Sequence, residues 1–447
     1  MISTTDHIKS AMIELLSQFG RTSEALSYLK KFSNTEPHRF AIIKIGGGVL
    51  ANHLDDIVKA LAFMQNMGLV PILVHGAGPQ LDSVLTEHGA GTRRVDGMRV
   101  TDDAVIKHLR KVMYDESHKL IDALEAHNVK ARAFHHGVFE CSYLDQEKYG
   151  YVGTPDAIHM DGIVRAAKAG SIPVITPLGE TESGQMMNIN ADTATQALAK
   201  EIQPQKLVFL TPSAGIWNER GDIIPAVNLA TDYEGLIAQP WVEGGMRVKL
   251  QEIYALLENL PSNSSVSITS ADKLTRELFT HQGAGTLVRK GETLYVQESI
   301  SQEDKKPIIA LLEKCFNRKL KADYFDDLQL KEVIWSKSKR AVAIITEGIG
   351  GVSYLDKFAV TPAAQGEGLG AALWGEIIKR HPALFWRSRI NNPINNWYVK
   401  KADHMSRQQN WLVLSYGIDD KDLLDQFKQE ALKHPDSWQD DMREIKA

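Results

Sequence analysis

The stretch Ala41-Ile42-Ile43-Lys44-Ile45-Gly46-Gly47-Gly48-Val49-Leu50 decides how the first two thirds of the chain are interpreted. Its apolar, β-branched beginning predicts a buried strand that ends in a lysine and three glycines, and a helical pattern follows over residues 54–67. A glycine turn at the end of a parallel strand exposes backbone N–H groups that can bind an anion. Lys44 adds a cation suited to a phosphoryl group. Three glycines after a strand are equally compatible with a simple tight turn, so the rest of the chain must decide between the two interpretations.

Composition and cysteine content limit the classes of protein to which the chain can belong. Its 447 residues suffice for two or three domains, and 43% hydrophobic with 24% charged residues is typical of a globular protein. The net charge of −5 gives no reason to expect a nucleic acid or an acidic membrane surface as partner. Cys141 and Cys315 lack metal-ligand spacing, so neither a disulfide framework nor a structural zinc site is predicted. No secretory signal and no apolar run of about 18 residues is visible, which predicts a cytoplasmic protein.

From Phe40 onward, apolar segments alternate with helical patterns, which is typical of a parallel sheet with crossover helices. Buried strands are predicted over residues 70–74, 172–177 and 206–211. Residues 6–32 place apolar side chains at helical spacing and predict two amphipathic helices that pack on this domain or on a neighbouring subunit. The predicted fold class is therefore α/β.

Several polar residues end the predicted strands or begin the predicted helices. His75 ends the second strand, where it is either a general base or a structural histidine. Arg99 can bind a carboxylate with two hydrogen bonds or remain a solvated surface residue. Asp192 follows the predicted cap Asn190, where it either complements the helix dipole or holds catalytic lysines in place. Lys249 lies near the start of another helix, which is unfavourable unless an anion is bound there.

Five motifs in fixed order give the first domain a family resemblance: KIGGG (44–48), VHGAGPQ (74–80), GMRVTD (97–102), NINAD (188–192) and GGMRVK (244–249). This part of the chain resembles the amino-acid kinase fold, an αβα sandwich, and specifically the N-acetylglutamate kinases. The resemblance covers residues 35–290. It implies phosphoryl transfer from ATP with Mg²⁺ to the side-chain carboxylate of N-acetylglutamate, without a Walker-type loop. No residue of the chain is assigned as a metal ligand.

The same resemblance implies a role for each matching residue. Lys44 and Lys249 would flank the transferring phosphoryl group, and Asp192 would orient both lysines. The remaining matches fall into an acetylglutamate group and an ATP-phosphate group: Gly76, Ala77, Arg99 and Asn188 in the first, and Gly46, Gly47 and Gly78 in the second. Ala77 departs from the family, which usually carries glycine there. Its methyl group is expected to restrict φ and to crowd the phosphates, at some cost in kinase rate.

Residues 271–286 resemble the arginine-binding signature of arginine-regulated acetylglutamate kinases, which also carry an N-terminal helix. The resemblance implies L-arginine as an effector, with Glu277 matched to its guanidinium and with Lys273 and Gly283 in the same site. A plain C-terminal helix of the fold is the alternative interpretation of this segment.

A second domain is predicted after a polar interval at residues 289–306, which is interpreted as a linker. A helix from Pro307 and strands at 332–335, 341–346 and 353–360 lead to the turn Gln365-Gly366-Glu367-Gly368-Leu369-Gly370. A glycine turn before a helix can hold any pyrophosphate. In this context it resembles the acyl-CoA motif of GNAT acetyltransferases. The resemblance implies a smaller α/β domain that binds acetyl-CoA through Gln365, Gly366, Gly368 and Gly370.

The run from Phe385 to Tyr398, together with residues 355–358, resembles the acetyltransferase domain of vertebrate-type N-acetylglutamate synthases. The resemblance implies that Tyr398 protonates the leaving thiolate and that four other residues bind glutamate: Lys357, Arg387, Arg389 and Asn392. Without the resemblance, Arg387 and Arg389 are two residues on one face of a strand. The charged tail over residues 419–447 carries no recognisable motif.

The two resemblances together imply a bifunctional enzyme of arginine synthesis that acetylates glutamate and phosphorylates the product. The expected boundaries are 1–36 for the N-terminal helices, 37–288 for the kinase domain, 289–306 for the linker and 307–447 for the acetyltransferase domain. One alternative is a synthase whose kinase domain is only a regulatory scaffold, against which the retained Lys44, Asp192 and Lys249 argue. A second is an arginine-sensing binding protein with both sites decayed. A homo-oligomer is expected, with a tetramer favoured.

Overall fold

The computed structural model of the protein describes Phe32 and residues 35–91, 93–279, 284–326, 328–364 and 368–439. The helices predicted over residues 6–32 therefore lie outside the described residues, apart from Phe32. The chain divides into two compact units, Met1–Lys290 and Gly291–Ala447. Within the described part, no helix has the length and apolar character that a membrane crossing requires.

The first unit alternates strands and helices as predicted. Its strands are β1 (Ala41–Ile45), β2 (Ile72–His75), β3 (Arg94–Val95), β4 (Met98–Arg99), β5 (Ala131–Phe134), β6 (Phe139–Tyr143), β7 (Gly153–Ile158), β8 (Ile172–Ile175), β9 (Leu178–Glu180), β10 (Met186–Asn188), β11 (Lys206–Leu210), β12 (Ala226–Asn228), β13 (Ser265–Thr269) and β14 (Thr286–Arg289). Its helices are α1 (Gly47–Asn52), α2 (Leu54–Asn66), α3 (Gly78–Glu87), α4 (Asp103–Ala126), α5 (Gln146–Tyr149), α6 (Asp161–Lys168), α7 (Ala191–Ile202), α8 (Leu229–Ile237), α9 (Gly244–Glu258) and α10 (Leu274–Phe279).

The central sheet of the first unit has helices on both faces. Its strand order is β12-β14-β13-β11-β1-β2-β8-β5, and β1 pairs in parallel with both β11 and β2. Ile43 packs with α2 and α4 on one face, whereas Ile42 packs with α7 and α9 on the other. Burial on both faces explains why β1 is aliphatic at every position except Lys44 rather than alternating between apolar and polar residues. The predicted αβα sandwich is confirmed.

The second unit is built on one seven-stranded sheet. Its strands are β15 (Leu294–Gln297), β16 (Leu330–Ser336), β17 (Ala341–Thr346), β18 (Ser353–Val360), β19 (Leu384–Arg389), β20 (His404–Gln408) and β21 (Trp411–Tyr416), and its helices are α11 (Gln302–Phe316), α12 (Leu369–Arg380), α13 (Asn395–Val399) and α14 (Lys421–Lys433). The sheet order is β15-β16-β17-β18-β19-β21-β20.

The interval 289–306, expected to be a linker, contains β15 and the beginning of α11. Leu294 and Val296 of β15 pack against the core of the second unit, at the period of two that a half-buried strand requires. α11 begins before the predicted Pro307, because the Ser301 hydroxyl caps it by accepting a hydrogen bond from Asp304 N at 3.1 Å.

The strands β18 and β19 separate from one another along their length. They pair in parallel only at Ser353–Leu384 and Tyr354–Phe385, although β18 runs on to Val360. The residues of β18 and β19 beyond Tyr354 and Phe385 are therefore not part of a common ladder.

Candidate active sites

Two glycine loops of the first unit touch each other where β1 and β2 end. Gly76 N donates to Ile45 O at 2.9 Å, which holds the carboxyl ends of the two strands together. A Cβ atom on Gly47 would lie 2.8 Å from Gln80 Oε1 and 3.0 Å from Ala77 Cα, so the contact requires glycine at this position. Gln80 Nε2 donates to Gly47 O at 2.9 Å and ties the loops together. The sequence prediction of one cradle made from two loops agrees with this geometry.

The other glycines of these loops are not crowded by the protein. A Cβ atom on Gly46 or Gly76 would meet its nearest neighbour at 3.6 or 3.7 Å, and one on Gly78 would have no neighbour within 4 Å. The space above Gly78 is therefore open at the start of α3, where free N–H groups favour an anion.

The methyl group of Ala77 does not lie where the sequence led us to expect it. Its φ of −139° is negative, so the backbone does not adopt the left-handed conformation that would favour glycine at this position. The side chain is 1% exposed and belongs to an apolar cluster with Leu81 and Val105. The methyl group thus packs in the core beneath α3 rather than crowding the loop.

The three predicted catalytic residues of the first unit come together on the α7 and α9 side of the sheet. Asn190 caps α7 by accepting from Asp192 N at 2.8 Å, as predicted. The Asp192 carboxylate lies 2.8 Å from Lys44 Nζ. Lys249 Nζ lies 5.0 Å from the centre of the Phe209 ring. Removal from water lowers the pKa of Lys249, and the charge of Lys44 acts in the same direction while Asp192 opposes it.

Glu252 is a member of this charged group that the sequence analysis missed. Its carboxylate accepts a hydrogen bond from Gln196 Nε2 at 3.4 Å. Removal from water raises the pKa of Glu252, Asp192 raises it further, and Lys249 opposes the shift. The spacing of three residues between Lys249 and Glu252 on α9 is the sequence signal that could have identified it.

Arg99 and Asn188, both assigned to the amino-acid substrate, are joined through Thr101. Arg99 is 8% exposed, and its Nη1 lies 2.6 Å from Asp82 Oδ1. The Thr101 hydroxyl accepts from Asn188 Nδ2 at 2.9 Å and donates to Arg99 O at 3.2 Å. Thr101 and Asp82 were missed by the sequence analysis. The Thr101 hydroxyl therefore links the amide side chain of Asn188 to the main chain of Arg99.

His75 is a structural residue rather than a general base. Its side chain is 0% exposed at the end of β2. Burial lowers the pKa of His75 to about 4, so the ring is neutral at neutral pH. A fully buried ring cannot exchange protons with a substrate in the cleft.

The segment assigned to arginine contains a buried carboxylate. Glu277 is 3% exposed, and its Oε2 accepts from Ala284 N at 2.7 Å. Its Oε1 is buried and hydrogen-bonds to no residue that the structure describes. Lys273 is exposed at the end of a short 3₁₀ helix, and Gly283 lies outside the described residues. A buried, half-paired carboxylate is costly unless a cation completes it.

In the second unit, the turn assigned to acetyl-CoA leads into α12. Gly368 has a φ of +83°, which favours glycine, and it directly precedes the helix. Gly370 is uncrowded, since a Cβ atom added there would lie 3.5 Å from the Val360 side chain. Gln365 and Gly366 lie outside the described residues. The start of this twelve-residue helix offers free N–H groups to a pyrophosphate.

Three of the four residues assigned to glutamate carry charge and contact well-defined partners. Arg387 and Arg389 alternate with Trp386 along β19, and their guanidinium carbons lie 4.1 and 4.2 Å from the centre of the Trp411 ring. Lys357 Nζ donates to Asp356 Oδ2 at 2.6 Å. The charge of Lys357 and the hydroxyl of Tyr324 outweigh burial and lower the pKa of Asp356.

Asn392 contacts one of these three cations through the main chain only, since its backbone N donates to Arg389 O at 2.9 Å. Its amide donates to Ser388 Oγ at 3.1 Å, and its oxygen accepts from Ile394 N at 3.3 Å, which stabilises the turn before α13. The structure thus gives Asn392 a local role in the turn.

Tyr398 packs in the core on the α12 side of the sheet. Its ring lies 5.6 Å from the Trp386 ring and 6.2 Å from the Phe358 ring, measured between centroids. Burial raises the pKa of Tyr398, so the phenol stays protonated at neutral pH. Lys357 lies on the other side of the sheet, 5.0 Å from the Tyr324 ring. β18 and β19, which pair only at their first residues, lie between these two sides.

Comparisons with known proteins identify the families that the two units resemble. Residues 39–270 match the model of the amino acid kinase family, and residues 295–434 match the N-acetyltransferase domain of N-acetylglutamate synthase. The chain is 45% identical over 400 residues to an acetylglutamate kinase of Xanthomonas campestris pv. campestris, covering 89% of this chain and 94% of the relative. It is 29% identical over 439 residues to human mitochondrial N-acetylglutamate synthase, covering 95% of this chain and 78% of the relative.

A solved structure shares the fold of the chain. The N-acetylglutamate synthase of Neisseria gonorrhoeae, solved with coenzyme A and N-acetyl-glutamate, aligns with a TM-score of 0.62 over 88% of this chain and 97% of its own, at 20% sequence identity. At this identity the similarity supports the fold, with a kinase-like unit followed by an acetyltransferase-like unit.

Proposed function

The chain belongs to the amino acid kinase family, among the acetylglutamate kinases, and carries an N-acetyltransferase domain; on this premise we propose that it catalyses two transfers. One is the acetylation of L-glutamate with acetyl-CoA, and the other is the phosphorylation of N-acetyl-L-glutamate with ATP. The product of the first reaction is the substrate of the second.

The contact between Lys44 Nζ and Asp192 Oδ1 at 2.8 Å carries the kinase half of the proposal. A carboxylate oxygen of acetylglutamate, oriented by Arg99 and Asn188, attacks the terminal phosphorus as the bond to ADP breaks. Negative charge on the phosphoryl oxygens is neutralised by Lys44 and Lys249. Magnesium would arrive with the ATP phosphates, since the described residues include no group of three or more acidic, histidine or cysteine side chains able to hold a metal ion.

The acetyltransferase half rests on the cations on one side of the sheet and Tyr398 on the other. Lys357, Arg387 and Arg389 would bind the carboxylates of glutamate, and CoA would lie with its pyrophosphate at the start of α12. The neutral amine attacks the thioester carbon, the carbon–sulfur bond breaks, and Tyr398 gives its proton to the departing thiolate. The nitrogen loses one proton to water as the amide forms, and Tyr398 is reprotonated from water.

The alternative of a synthase with a kinase-like scaffold makes a different prediction about the first unit. A scaffold has no use for a lysine whose pKa is lowered by its surroundings and which faces a second lysine. Such a pair of lysines is costly to the folded state, and it becomes favourable when an anionic phosphoryl group lies between them.

Paired assays on one purified sample test both halves. One assay follows CoA release with glutamate and acetyl-CoA, and the other follows ADP release with N-acetylglutamate and ATP. We expect both products. CoA release without ADP release would support the scaffold alternative, and ADP release alone would remove the acetyltransferase half.

L-Arginine is the proposed effector, because Oε1 of the buried Glu277 has no partner among the described residues. At 100 times its dissociation constant, a ligand stabilises the folded protein by about 2.7 kcal/mol. Arginine should therefore raise the melting temperature and reduce at least one activity, and Glu277→Gln should lose the thermal shift. A shift of equal size in the variant would remove Glu277 from the site. We also propose a homo-oligomer, with a tetramer favoured, which light scattering can test.

A further inference from the structure

The residues that follow α14 contact all three cations assigned to glutamate. We call residues 434–437 the strap, because they connect α14 to Trp438, which is 8% exposed and packs in the core near α11. Within the strap, Pro435 O accepts from Arg387 Nη2 at 3.0 Å, and Ser437 Oγ accepts from Lys357 Nζ at 2.9 Å. Asp436 Oδ2 accepts from Arg389 Nη2 at 3.1 Å.

These contacts differ in charge. The partners of Arg387 are the carbonyl oxygens of Pro435 and Ala431, which hold the guanidinium without neutralising it. Among the residues that the structure describes, no carboxylate pairs with Arg387. Arg389, in contrast, faces the carboxylate of Asp436. Asp436 is therefore the group of the strap that presents to an arginine the same chemistry as a carboxylate of glutamate.

The pairs also differ in how easily they can be exchanged. The side chains of Lys357 and Asp356 are 7% and 11% exposed, so this pair is fixed in the interior. The side chains of Arg389 and Asp436 are 47% and 37% exposed. A solvent-exposed pair of this kind is weak, and an incoming carboxylate can replace one of its partners at little cost.

We propose that Asp436 is an internal competitor of the amino-acid substrate: its carboxylate occupies Arg389 until a carboxylate of the substrate displaces it. This proposal rests on the proposed function, because it takes Arg387 and Arg389 as the groups that bind glutamate. Lys357 is neutralised by Asp356, so displacing Asp436 leaves two uncompensated guanidinium groups. A dicarboxylate supplies one carboxylate to each of them. An amino acid with a single carboxylate satisfies Arg387 and leaves Asp436 in place.

The test is a steady-state acetyl-transfer assay on the full chain, with glutamate varied at saturating acetyl-CoA. Asp436→Asn keeps the shape of the side chain and removes its charge. We expect the KM for glutamate to fall about two- to fivefold, which is the range for a partly exposed ion pair, with kcat unchanged. Asp425→Asn is the matched control, because Asp425 forms a surface pair with Lys428 and is 77% exposed.

A double variant distinguishes two roles of Asp436: competition with glutamate for Arg389, and positioning of Arg389. If Asp436 competes for Arg389, Asp436→Asn has no effect on KM in an Arg389→Ala background. An unchanged or increased KM in the single Asp436→Asn variant would overturn the proposal, because Asp436 would then position Arg389 rather than compete for it. Calorimetric titration of glutamate in the presence of CoA should show the same gain in affinity without turnover.

Failure of the proposed function gives a different result. Arg389→Ala should raise the KM for glutamate if Arg389 binds the substrate. An unchanged KM in Arg389→Ala would place glutamate elsewhere and remove both proposals. An increased KM in Arg389→Ala, together with an unchanged KM in Asp436→Asn, would retain the glutamate site and remove only the competitor.

Discussion

Each of the two units has a cluster of basic side chains, but the groups that pair with these side chains differ between the units. In the first unit, Lys44 pairs with Asp192, a carboxylate of the proposed machinery itself. In the second unit, Arg387 and Arg389 contact the main chain and the Asp436 carboxylate near the end of the chain. Cations that act on a transition state need a permanent counter-ion that fixes their geometry, because preorganisation is what lowers the barrier. Cations that bind a ground-state dicarboxylate need partners that can be exchanged.

The largest expected effect tests whether the lysines of the first unit are catalytic. Lys249→Ala removes one of the two positive charges from the proposed phosphoryl site. A cation on the transferring phosphoryl group typically contributes about 10³–10⁵-fold, so ADP formation should fall by that factor. Lys44→Ala should behave similarly. Rates of ADP release, measured by a coupled assay at saturating substrates, give the comparison.

CoA release should be unchanged in the same samples, because the residues of acetyl transfer lie in the other unit. Lys59→Ala is the matched control, since Lys59 forms a surface pair with Asp55 and its side chain is 64% exposed. If folded Lys249→Ala protein loses both activities equally, the two units do not house separate reactions and the comparison between them is lost.

The next effect concerns Tyr398, whose ring packs against the rings of Trp386 and Phe358 in the second unit. General acid assistance contributes about 10²–10⁴-fold, so Tyr398→Phe should lower kcat for CoA release within that range. The KM for glutamate should change little, because the hydroxyl acts on the leaving group in the transition state. Tyr295→Phe, at a residue that is 43% exposed on β15, controls for loss of a phenol elsewhere. An unchanged kcat would make Tyr398 a packing residue and leave the thiolate to solvent.

The residues of the proposed kinase site could be identified from the sequence because each of them lies next to a local sequence feature. Each proposed residue of the first unit lies at the end of a strand or in the first turns of a helix, and glycine turns mark those places. Lys44, Asp192 and Lys249 were identified in this way, and parallel pairing brings the ends of β1, β2 and β11 to one edge. The support given by Thr101 was not visible, because it depends on a contact between residues 87 positions apart.

The partners in the second unit could not be predicted for the same reason. Arg389 and Asp436 are separated by 47 positions, and no motif marks residues 434–437. The interval 289–306 was interpreted as a linker because it is polar, whereas β15 requires only two inward aliphatic side chains, Leu294 and Val296, to become a strand. Short edge strands with few apolar residues carry a weak signal.

A pH experiment tests the buried histidine of the first unit. His75 ends β2, which pairs with the strand that carries Lys44. His75 has a pKa of about 4 in the folded protein against an ordinary 6.5, so the unfolded chain binds its proton first as the pH falls. The contribution of the neutral ring to the free energy of unfolding is fully present above pH 6.5. It is lost as the pH falls towards 4. The loss amounts to about 3 kcal/mol.

Denaturant unfolding between pH 7 and pH 4.5 measures this loss. His75→Gln cannot titrate, so its stability should depend less steeply on pH than that of the wild type. His127→Gln is the control, because His127 is exposed at the end of α4. Parallel pH profiles for the wild type and His75→Gln would mean that the buried ring is not the group that titrates.

The smallest expected effect tests whether the substrate-binding groups of the first unit, like its lysines, depend on a permanent partner. Thr101 is 0% exposed, and its hydroxyl joins the side chain of Asn188 to the main chain of Arg99. Thr101→Val keeps the shape of the side chain and removes both hydrogen bonds. A hydrogen bond of this kind contributes about 0.5–1.5 kcal/mol net, so the KM for N-acetylglutamate should rise about threefold to tenfold. ADP release at varied N-acetylglutamate measures it. Thr86→Val, at an exposed threonine whose hydroxyl donates to Asp82 O at 2.8 Å, should leave the KM unchanged. If Thr101→Val also leaves the KM unchanged, Asn188 finds its orientation without the hydroxyl. The substrate groups of the first unit would then resemble the exchangeable contacts of the second unit rather than the fixed pair of Lys44 and Asp192.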